Sequence, residues 1–498
     1  MELSEKQKLV YAKYEAGENI FMTGAGGTGK TELIKRIVKD AKEKGIKYQV
    51  CALTGCACIL LKCNAKTIHS WGGLGLCNGD IDLLAGKIAL NKFKRKNWKQ
   101  VELLIVDEVS MMSKKLFNAL NLIGKKCCLN QSAFGGIQVI FSGDFNQLSP
   151  IGNDDEPDTS RYCFESEDWD NIFKNQIELV EIFRQKDPVY TKILSQIRNG
   201  KLTRKSVDKL NSYVGRKIPE DILIKPTIIY PTRNKVEKIN NESLEKINED
   251  IYTFKMQECT QEEIESSSKT SKKTVFDRVF TESQKQTEIN YLRNNINCDN
   301  IIHLKKGAQV MCIANLDMEN DICNGSQGII IDFATISGQN IPVVKFYNNI
   351  TRPIGYNIWQ SENIQSIALK QIPLILSWAI TIHKAQGATL DVAEIDIGRE
   401  IFACGQTYVA LSRIKSLEGL YLKSFDPNKI KLSKKVKNYY EKLNKNKEKK
   451  EEKKEEKKEE KKEEKKNTDE YKELNFEEYI CNEETSSLFP IPDKRDNS

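Results

Sequence analysis

The sequence predicts an α/β protein whose strands form parallel sheets. Three observations support this fold class: short apolar strands rich in β-branched residues alternate with helical stretches, a glycine-rich loop joins one strand to a helix, and polar groups follow several strands where each one ends. At 498 residues the chain is long enough for two or three domains with cores of their own.

The glycine-rich loop lies between an apolar run, residues 20–22, and a stretch of apolar residues at helical spacing that stops at Gly45. It has the pattern G-x-x-x-x-G-K-T: Gly24, Ala25, Gly26, Gly27, Thr28, Gly29, Lys30 and Thr31. Its glycines let backbone N–H groups point at a polyphosphate, Lys30 suits the β- and γ-phosphates, and the Thr31 hydroxyl suits Mg²⁺. A chance glycine-rich turn is the alternative, but strand, loop and helix together favour a phosphate-binding loop.

The short helix before this loop begins after Ser4, a residue suited to cap it. Gln7 in this helix carries an amide that can both donate to and accept from an adenine edge. An ordinary surface glutamine is the other interpretation of Gln7, and its position alone does not choose between them.

Three further apolar segments are predicted as strands: residues 48–53, 101–106 and 137–141. The polar residues that follow them are Thr54 and Gly55, then Asp107 and Glu108, then the run 143–147. Ligands of open parallel sheets bind at the carboxyl ends of the strands. We therefore expect these polar groups to converge on one site.

At that site the two acidic residues are expected to have different roles. Asp107 is expected to bind Mg²⁺ directly or through its waters, and Glu108 to polarise the attacking water. Gln147, in the run after the last of these strands, is expected to sense the γ-phosphate. An acidic pair that merely ends a strand is the alternative, and the phosphate-binding loop upstream argues against it.

Residues 70–100 leave the sheet pattern and form a basic insertion. Its charged residues, which surround Phe93 and Trp98, are Lys87, Lys92, Lys94, Arg95, Lys96 and Lys99. Basic residues interleaved with aromatic rings suit a nucleic-acid strand, because charges follow phosphates and rings stack on bases. A solvated amphipathic helix fits the pattern equally well.

A second α/β pattern follows the first lobe, residues 1–187, and occupies residues 188–304 and 366–430. Within it, residues 257–300 are polar and rich in serine and lysine, which predicts a long mobile insertion. Between its two parts, residues 305–365 contain several short strands, which predict a small barrel-like module.

Charge is distributed unevenly along the chain. The formal net charge is +7, although residues 467–498 hold 3 basic and 9 acidic groups, so the body of the chain is basic and suits a polyanionic partner. Residues 445–466 are mostly EEKK repeats, which place like charges at i,i+4 positions and predict a disordered tether within a low-complexity tail, residues 431–498. The acidic end of the tail is interpreted either as a docking peptide for a protein partner or as an inert tail.

Fourteen cysteines are scattered along the chain without a C-x-x-C pair, and no apolar run has the length of a membrane span. We therefore expect free thiols, no cysteine-bound metal, no membrane association and a reducing intracellular compartment. Nucleus, mitochondrion and viral factory all stay open.

Seven motifs occur in order along the chain: GAGGTGKT, LTGCAC with TIHSWGGLG, LLIVDEVSMM, FGGIQVIFSGDFNQLSP, EIFRQKD, SWAITIHKAQGATLD and GQTYVALSR. This set resembles the PIF (petite integration frequency) family of superfamily-one DNA helicases, relatives of the RecD-like enzymes, over residues 3–425. The resemblance implies two RecA-like lobes in one chain, an inserted SH3-like module at residues 305–365, an ATP cleft between the lobes and single-stranded DNA across their top. It also implies 5′-to-3′ translocation.

The resemblance further implies a role for each matching residue. It places Gln7 on the adenine, the loop residues 24–31 on the phosphates and Mg²⁺, Asp107 and Glu108 as metal partner and base, and Gln147 as sensor. It implies that Arg184 and Arg413 contact the γ-phosphate and that Gly387 belongs to the nucleotide site. The DNA-facing positions that it implies are Thr54, Gly55, His69, Thr381, His383, Lys384, Gln406 and Tyr408.

Together these expectations describe a monomeric, ATP- and Mg²⁺-dependent DNA helicase that acts on single-stranded and forked DNA in replication, repair or recombination. ATP would draw the lobes together because Arg184 and Arg413 gain a γ-phosphate partner only in the closed state, and the segment near Phe93 and Trp98 would split the duplex. Two alternatives stay open: an oligomeric ATPase switch whose arginine comes from a neighbouring chain, and a catalytically idle nucleic-acid-binding scaffold. The complete set of Lys30, Thr31, Asp107 and Glu108 argues against the scaffold.

Overall fold

The computed structural model describes most of residues 3–445. The residues outside this description are 1–2, 55–56, 59–60, 62, 76, 78, 154, 186, 220–224, 268–279, 297, 315, 318–319, 321, 323–324, 337, 362–363, 365 and 446–498. Gly55, nearly all of the predicted tether and the whole acidic end of the tail therefore lie outside the described residues. The chain divides into two units, Met1–Val436 and Lys437–Ser498, and residues 437–445 of the second unit are helical.

The first lobe is built on a six-stranded parallel sheet with the strand order β3-β2-β4-β5-β1-β6. Its strands are β1 Ile20–Gly24, β2 Tyr48–Ala52, β3 Lys66–Thr67, β4 Leu103–Asp107, β5 Gln138–Gly143 and β6 Asn175–Leu179. All residues of β1 and β4 are buried, as expected where helices cover both faces of a parallel sheet. The predicted parallel α/β fold is confirmed, and the predicted strands agree with β2, β4 and β5 within two residues.

The helices of this lobe are α1 Glu5–Glu15, α2 Lys30–Glu43, α3 Ile68–Gly72, α4 Ile81–Leu90, α5 Lys92–Gln100, α6 Lys114–Cys128 and α7 Trp169–Ile172. Helix α1 begins with a capping box in which Ser4 and Gln7 each accept a hydrogen bond from the other residue's backbone N–H. Helix α2 buries the apolar residues whose spacing predicts it: Leu33, Ile34, Ile37, Val38 and Ala41. It ends before Gly45, whose φ of +71° favours glycine.

Helices α4 and α5 form most of the basic insertion, and their aromatic residues have different environments. Phe93 is 55% exposed, whereas Trp98 is fully buried, with its ring 4.7 Å from that of Trp71 and its indole N–H donating to the Gly72 carbonyl at 3.3 Å. Five positions separate Phe93 and Trp98, which places them on different faces of α5. The expectation that Trp98 acts on nucleic acid is therefore wrong, and Trp98 packs the insertion against α3.

The remaining strands are β7 Thr227–Tyr230, β8 Ile251–Lys255, β9 Gln257–Glu258, β10 Ile301–Lys305, β11 Gln309–Cys312, β12 Gln327–Ile336, β13 Gln339–Phe346, β14 Thr351–Pro353, β15 Asn357–Gln360, β16 Ala368–Gln371, β17 Leu374–Leu376, β18 Ala379–Thr381, β19 Ala393–Ile397 and β20 Leu420–Phe425. The remaining helices are α8 Pro188–Arg198, α9 Arg204–Asn211, α10 Arg233–Glu245, α11 Gln261–Ser267, α12 Glu282–Asn295, α13 Ile382–Ala385 and α14 Gln406–Leu411. Strands β18-β7-β19-β20 form the second parallel sheet, which is the core of the second lobe.

Antiparallel strands lie between the parts of the second lobe. Strands β14-β13-β12-β11-β17 form one sheet, β15-β16-β9 a second, and β8 pairs with β10. The first of these sheets contains the predicted short strands but continues through β17, beyond the predicted limit at residue 365. Its description as an SH3-like module stays a prediction.

Residues 257–300 were predicted to be a mobile insertion, and their mobility stays a prediction. Their described part contains β9, α11 and α12, and α12 begins with a capping box formed by Thr281 and Gln284. A polar composition hides such a helix, because caps and backbone hydrogen bonds define it more than an apolar stripe does. Over the described residues, no helix combines the length and apolar character needed to cross a membrane.

Candidate nucleotide site

A cavity of about 370 Å³ lies at the carboxyl edge of the first parallel sheet, where α/β proteins bind ligands. The sequence-predicted residues that line it are Gly26, Gly27, Thr28, Gly29, Lys30, Thr31, Asp107, Glu108, Gln147, Arg184, Gly387 and Arg413. Residues separated by almost four hundred positions thus meet at one site. Gln7, Gly24 and Ala25 lie beside the cavity rather than in its lining.

The phosphate-binding loop holds Lys30 against its own backbone. The Lys30 ammonium donates to the carbonyls of Gly24 at 2.7 Å and Ala25 at 3.0 Å. Burial lowers the pKa of Lys30, and the carboxylates of Asp144, Glu108 and Asp107 oppose that shift. Gly27 has φ +88°, and a Cβ there would lie 2.6 Å from the Cβ of Arg184, so the loop is shaped to admit the arginine.

The acidic pair follows β4 directly. Asp107 is buried, and its Oδ1 accepts a hydrogen bond from the Glu108 N–H at 2.9 Å. Glu108 has φ +56°, a strained left-handed conformation for a residue with a Cβ. Burial raises the pKa of both carboxyls, and Lys30 partly offsets the shift. The Asp107 carboxylate and the Thr31 hydroxyl, which line the same cavity, are oxygen donors that fit Mg²⁺.

Gln147 lies in the turn after β5 and is 4% exposed. Its backbone N–H donates to the Asp144 carbonyl at 2.9 Å, whereas its side-chain Oε1 has no hydrogen-bond partner within the part of the chain that the structure describes. A buried amide oxygen without a partner is costly unless a ligand or water satisfies it. Gln147 is therefore well suited to contact a ligand in the cavity.

Two arginines approach the phosphate-binding loop. The Arg413 guanidinium is 2% exposed and donates to the Val409 carbonyl at 3.0 Å and the Ser412 hydroxyl at 2.8 Å. Burial, reinforced by the neighbouring Arg184 charge, lowers the pKa of Arg413 to about 10. Arg184 donates to the Ser412 carbonyl at 3.5 Å. Both guanidinium groups thus contact Ser412 beside the phosphate-binding loop. Two cations at such a site favour the binding of a polyanion.

Gln386 and Gly387 bring the second lobe to the other side of the cavity. The Gln386 side-chain amide donates to Glu108 Oε2 at 3.4 Å, and the Ala388 carbonyl accepts from Arg413 Nη1 at 3.5 Å. Gln386 directly follows α13 and has no role in the sequence prediction. Its position beside Gly387 in a motif already assigned to the site is the signal that identifies it.

The same short segment also reaches the surface. The Thr381 hydroxyl caps α13 by accepting from the Lys384 N–H at 3.1 Å, and the side chains of His383 and Lys384 are exposed. Helix α13 thus carries predicted DNA-facing residues at its exposed side and is followed at once by residues of the cavity.

The structure corrects two predicted DNA-facing residues, Gln406 and Tyr408. Every residue of α14 is buried. Gln406 Oε1 accepts from the N–H groups of Phe402 at 3.1 Å and Ala403 at 3.2 Å, and the Tyr408 hydroxyl accepts from the Gly26 N–H at 2.9 Å. Gln406 therefore holds the turn before α14, and Tyr408 joins the second lobe to the phosphate-binding loop.

Gln7 and Phe183 lie beside the phosphate-binding loop. Gln7 is 6% exposed, and its amide contacts the backbone of Ser4 at 3.0 Å and Thr28 at 3.4 Å, so its contact with adenine stays a prediction. Phe183, which the sequence prediction passes over, lines the cavity with its ring 40% exposed and donates its N–H to the Gly27 carbonyl at 2.8 Å. The signal in the sequence is an aromatic residue directly before Arg184.

The other predicted DNA-facing residues that the structure describes lie outside the nucleotide cavity. His69 lines a second cavity of about 370 Å³ in the first lobe together with Leu53 and Lys115. Thr381 and Lys384 line a third of about 440 Å³ in the second lobe. The Thr54 hydroxyl accepts from the Ala57 N–H at 3.3 Å, which is a local capping contact. DNA contact at these positions stays a prediction.

Comparison with known proteins gives matches along most of the chain. The family model described as PIF1-like helicase matches residues 2–208, and the one described as DNA helicase Pif1, 2B domain, matches residues 289–333. The ATP-dependent DNA helicase PIF1 of Homo sapiens is 30% identical over 444 residues, which are 89% of this chain and 64% of the human protein. The chain thus spans less than two thirds of that relative.

Solved structures also match. The crystal structure of Pif1 helicase from Candida albicans is 31% identical, with a TM-score of 0.70, and the match covers 89% of this chain and 100% of that one. Pif1 helicase from Bacteroides in complex with ADP-AlF3 and single-stranded DNA is 26% identical, with a TM-score of 0.61 and coverage of 90% and 98%. The two-lobed α/β architecture is therefore shared with Pif1 helicases.

Proposed function

The chain belongs to the PIF1-like helicase family, and on that premise we propose that it is an ATP-dependent DNA helicase. In this proposal it moves 5′-to-3′ along single-stranded DNA and unwinds duplex DNA at forks. We propose that this activity contributes to DNA replication, repair or recombination. We expect the protein in an intracellular, reducing compartment.

One observation carries the proposal: a single cavity is lined by the groups that ATP hydrolysis needs, and they come from both lobes. Lys30 and Thr31 come from the phosphate-binding loop, Glu108 follows β4, and Arg413 follows α14. In-line attack of water on a γ-phosphate needs positioning and charge stabilisation above all. The cavity supplies both.

In the proposed reaction Lys30 exchanges its loop carbonyls for phosphate oxygens. Thr31 and Asp107 would hold a Mg²⁺ ion, which would supply positive charge beside the phosphates. Glu108 takes up a proton from the attacking water as the bond between the γ-phosphate and ADP breaks. Arg184 and Arg413 stabilise the γ-phosphate, and Gln147 contacts the water or the phosphate with its unpartnered oxygen. Loss of the γ-phosphate removes the partner of the two arginines and weakens the hold between the lobes.

The DNA part of the proposal rests on other residues. The solved Bacteroides relative is in complex with single-stranded DNA. In this chain the cavities that contain His69 and Lys384 lie on different lobes, as a strand crossing both would need. Exposed His383 and Lys384 precede Gln386, which contacts Glu108, so strand binding is positioned to affect hydrolysis.

The geometry favours a site completed within one chain over an oligomeric ATPase switch. Arg184 and Arg413 of the same chain as Lys30 line the cavity, so a neighbouring subunit need not supply an arginine. We accordingly propose that the protein acts as a monomer. A protein partner for the acidic end of the tail remains a hypothesis from sequence.

Steady-state ATP hydrolysis by the purified chain, with and without single-stranded DNA, tests this function. We expect strong stimulation by the strand, no turnover in Lys30→Ala, and unwinding of forks that carry a 5′ tail but not of those with only a 3′ tail. Hydrolysis that is indifferent to DNA would favour the switch, and DNA binding without any hydrolysis would favour the scaffold.

A further inference from the structure

Lys115 and Glu156 form an ion pair in the lining of the cavity that contains His69, which we call the His69 cavity. Lys115 lies in the first turn of α6, and its ammonium donates to Glu156 Oε2 at 2.6 Å. The other carboxylate oxygen, Oε1, accepts from the Gly79 N–H at 3.0 Å. An ammonium and a backbone N–H are also the kinds of donor that bind the oxygens of a nucleic-acid phosphate.

The His69 cavity lies at the carboxyl edge of the first parallel sheet. Residues that follow four neighbouring strands line it: Leu53 follows β2, His69 lies in α3 after β3, Ser113 follows β4, and Pro150 follows β5. The described residues of this lining are not those that line the nucleotide cavity. Because ligands of open parallel sheets bind at this edge, the His69 cavity is placed to hold a second ligand.

Lys115 supplies the positive charge of this cavity. Burial lowers the pKa of His69, so its ring is uncharged at neutral pH. Among the described residues of the lining, Lys115 is the only permanent cation. Ile151, which is 78% exposed, adds apolar surface to the same lining. A cation beside apolar surface suits a nucleotide unit of a single strand, because its phosphate is anionic and its base has apolar faces.

Glu156 reaches Lys115 through its side chain, while its backbone is fixed in a turn. The Glu156 carbonyl accepts from the Thr159 hydroxyl at 2.6 Å and from the Thr159 N–H at 2.9 Å. The Glu156 side chain is 30% exposed, so its rotation away from Lys115 leaves this turn in place. Without that rotation the carboxylate would repel a phosphate in the same cavity.

We propose that Lys115 binds a backbone phosphate of single-stranded DNA in the His69 cavity, and that Glu156 competes with this phosphate for Lys115. The strand displaces the carboxylate when it binds, so Glu156 limits the affinity of the first lobe for DNA. A limited affinity suits a protein that must release the strand in order to move along it. The proposal rests on the proposed function, since it assumes that single-stranded DNA crosses this cavity.

Equilibrium binding of a fluorescent oligothymidylate to the full chain tests it, measured without nucleotide over a range of salt concentrations. Lys115→Gln is expected to weaken binding by about tenfold at low salt and to lower the slope of log affinity against log salt by about one, because one phosphate contact is lost. Glu156→Gln is expected to tighten binding by about fivefold, because it releases Lys115. Thermal unfolding of each variant checks the fold, and Lys115→Met replaces Lys115→Gln if the latter fails to fold.

The double variant Lys115→Gln/Glu156→Gln separates competition for Lys115 from simple charge repulsion. When Lys115 is absent, Glu156→Gln is expected to change the affinity by less than about twofold, because no cation is left to release. Lys44→Gln, at an ion-paired lysine that follows α2, is the control for Lys115. Asp158→Asn, at a carboxylate paired with Arg161, is the control for Glu156. Both controls should bind the strand within about twofold of the wild type.

No gain from Glu156→Gln, or an equal gain with and without Lys115, overturns the competition. Wild-type affinity and salt dependence in Lys115→Gln overturn the phosphate contact. A wild-type chain that does not bind the strand overturns the proposed function as well, whereas the other results overturn the roles of Lys115 and Glu156 alone.

Discussion

The two lobes contribute different kinds of group to the nucleotide cavity. The first lobe contributes residues that begin or end regular elements: Lys30 begins α2, Asp107 ends β4, and Gln147 lies in the turn after β5. The second lobe contributes Arg413, which follows a short helix and donates to Val409, Ser412 and Ala388. Gln386 of the same lobe lies beside the cavity and donates to Glu108 of the first lobe. The first-lobe half of the site is therefore positioned by the parallel sheet. The position of the second-lobe half depends on how the two lobes pack against each other.

The two lobes approach each other closely at Gly405. Gly405 precedes α14 with φ +78°, and a Cβ there would overlap the Gln147 carbonyl of the first lobe. The turn that carries Gln147 and the start of helix α14, which leads to Arg413, therefore contact each other through backbone atoms. We infer that the first lobe binds the nucleotide and the second responds to its γ-phosphate, because only the second can move away from the loop without breaking a sheet.

Among substitutions in the second-lobe half of the site, the largest effect is expected at Arg413. Arg413→Ala should lower kcat for ATP by about a thousandfold, because it removes charge stabilisation of the transition state, while ADP binding changes far less. Steady-state hydrolysis and equilibrium ADP binding measure the two quantities. Arg399→Ala, at an exposed arginine of the same lobe, is the control, and unchanged hydrolysis in Arg413→Ala would exclude the assigned role.

A smaller effect is expected where the second lobe touches the catalytic carboxylate. Gln386→Leu removes the amide that donates to Glu108 and should reduce stimulation of hydrolysis by single-stranded DNA by about tenfold. The affinity for the strand should stay the same, because Gln386 does not belong to the exposed side of α13. Gln339→Leu, at an exposed glutamine in β13, is the control. Equal losses of basal and stimulated turnover would show that Gln386 does not couple the two ligands.

The smallest effect is expected at the contact between Tyr408 and the phosphate-binding loop. Tyr408→Phe deletes one buried hydrogen bond, worth about 1 kcal/mol, and should change ATP turnover by a few fold. Its affinity for single-stranded DNA should equal that of the wild type, since Tyr408 is 3% exposed. Weaker DNA binding with normal turnover would instead support the DNA-facing role that the sequence predicts for Tyr408.

The elements that carry the first half of the site are predictable from the sequence, whereas parts of the second half are not. The apolar spacing of Leu33 and Ile37 defines α2, and strand ends locate Asp107, because both features are local. Tyr408 and Gln406 are polar residues in a motif, and their burial depends on contacts with Gly26 and the turn before α14 that no local pattern records. Trp98 is similar, since its partner Trp71 is distant in sequence.

Lys30 and Arg413 belong to different lobes and are assigned to one ATP site within one chain. Mixing Lys30→Ala with Arg413→Ala protein tests this assignment, because each variant retains the half of the site that the other has lost. The equimolar mixture is expected to hydrolyse ATP, with single-stranded DNA present, no faster than the two variants measured separately. Hydrolysis restored in the mixture would mean that one chain supplies its arginine to another, and it would exclude a site completed within one chain.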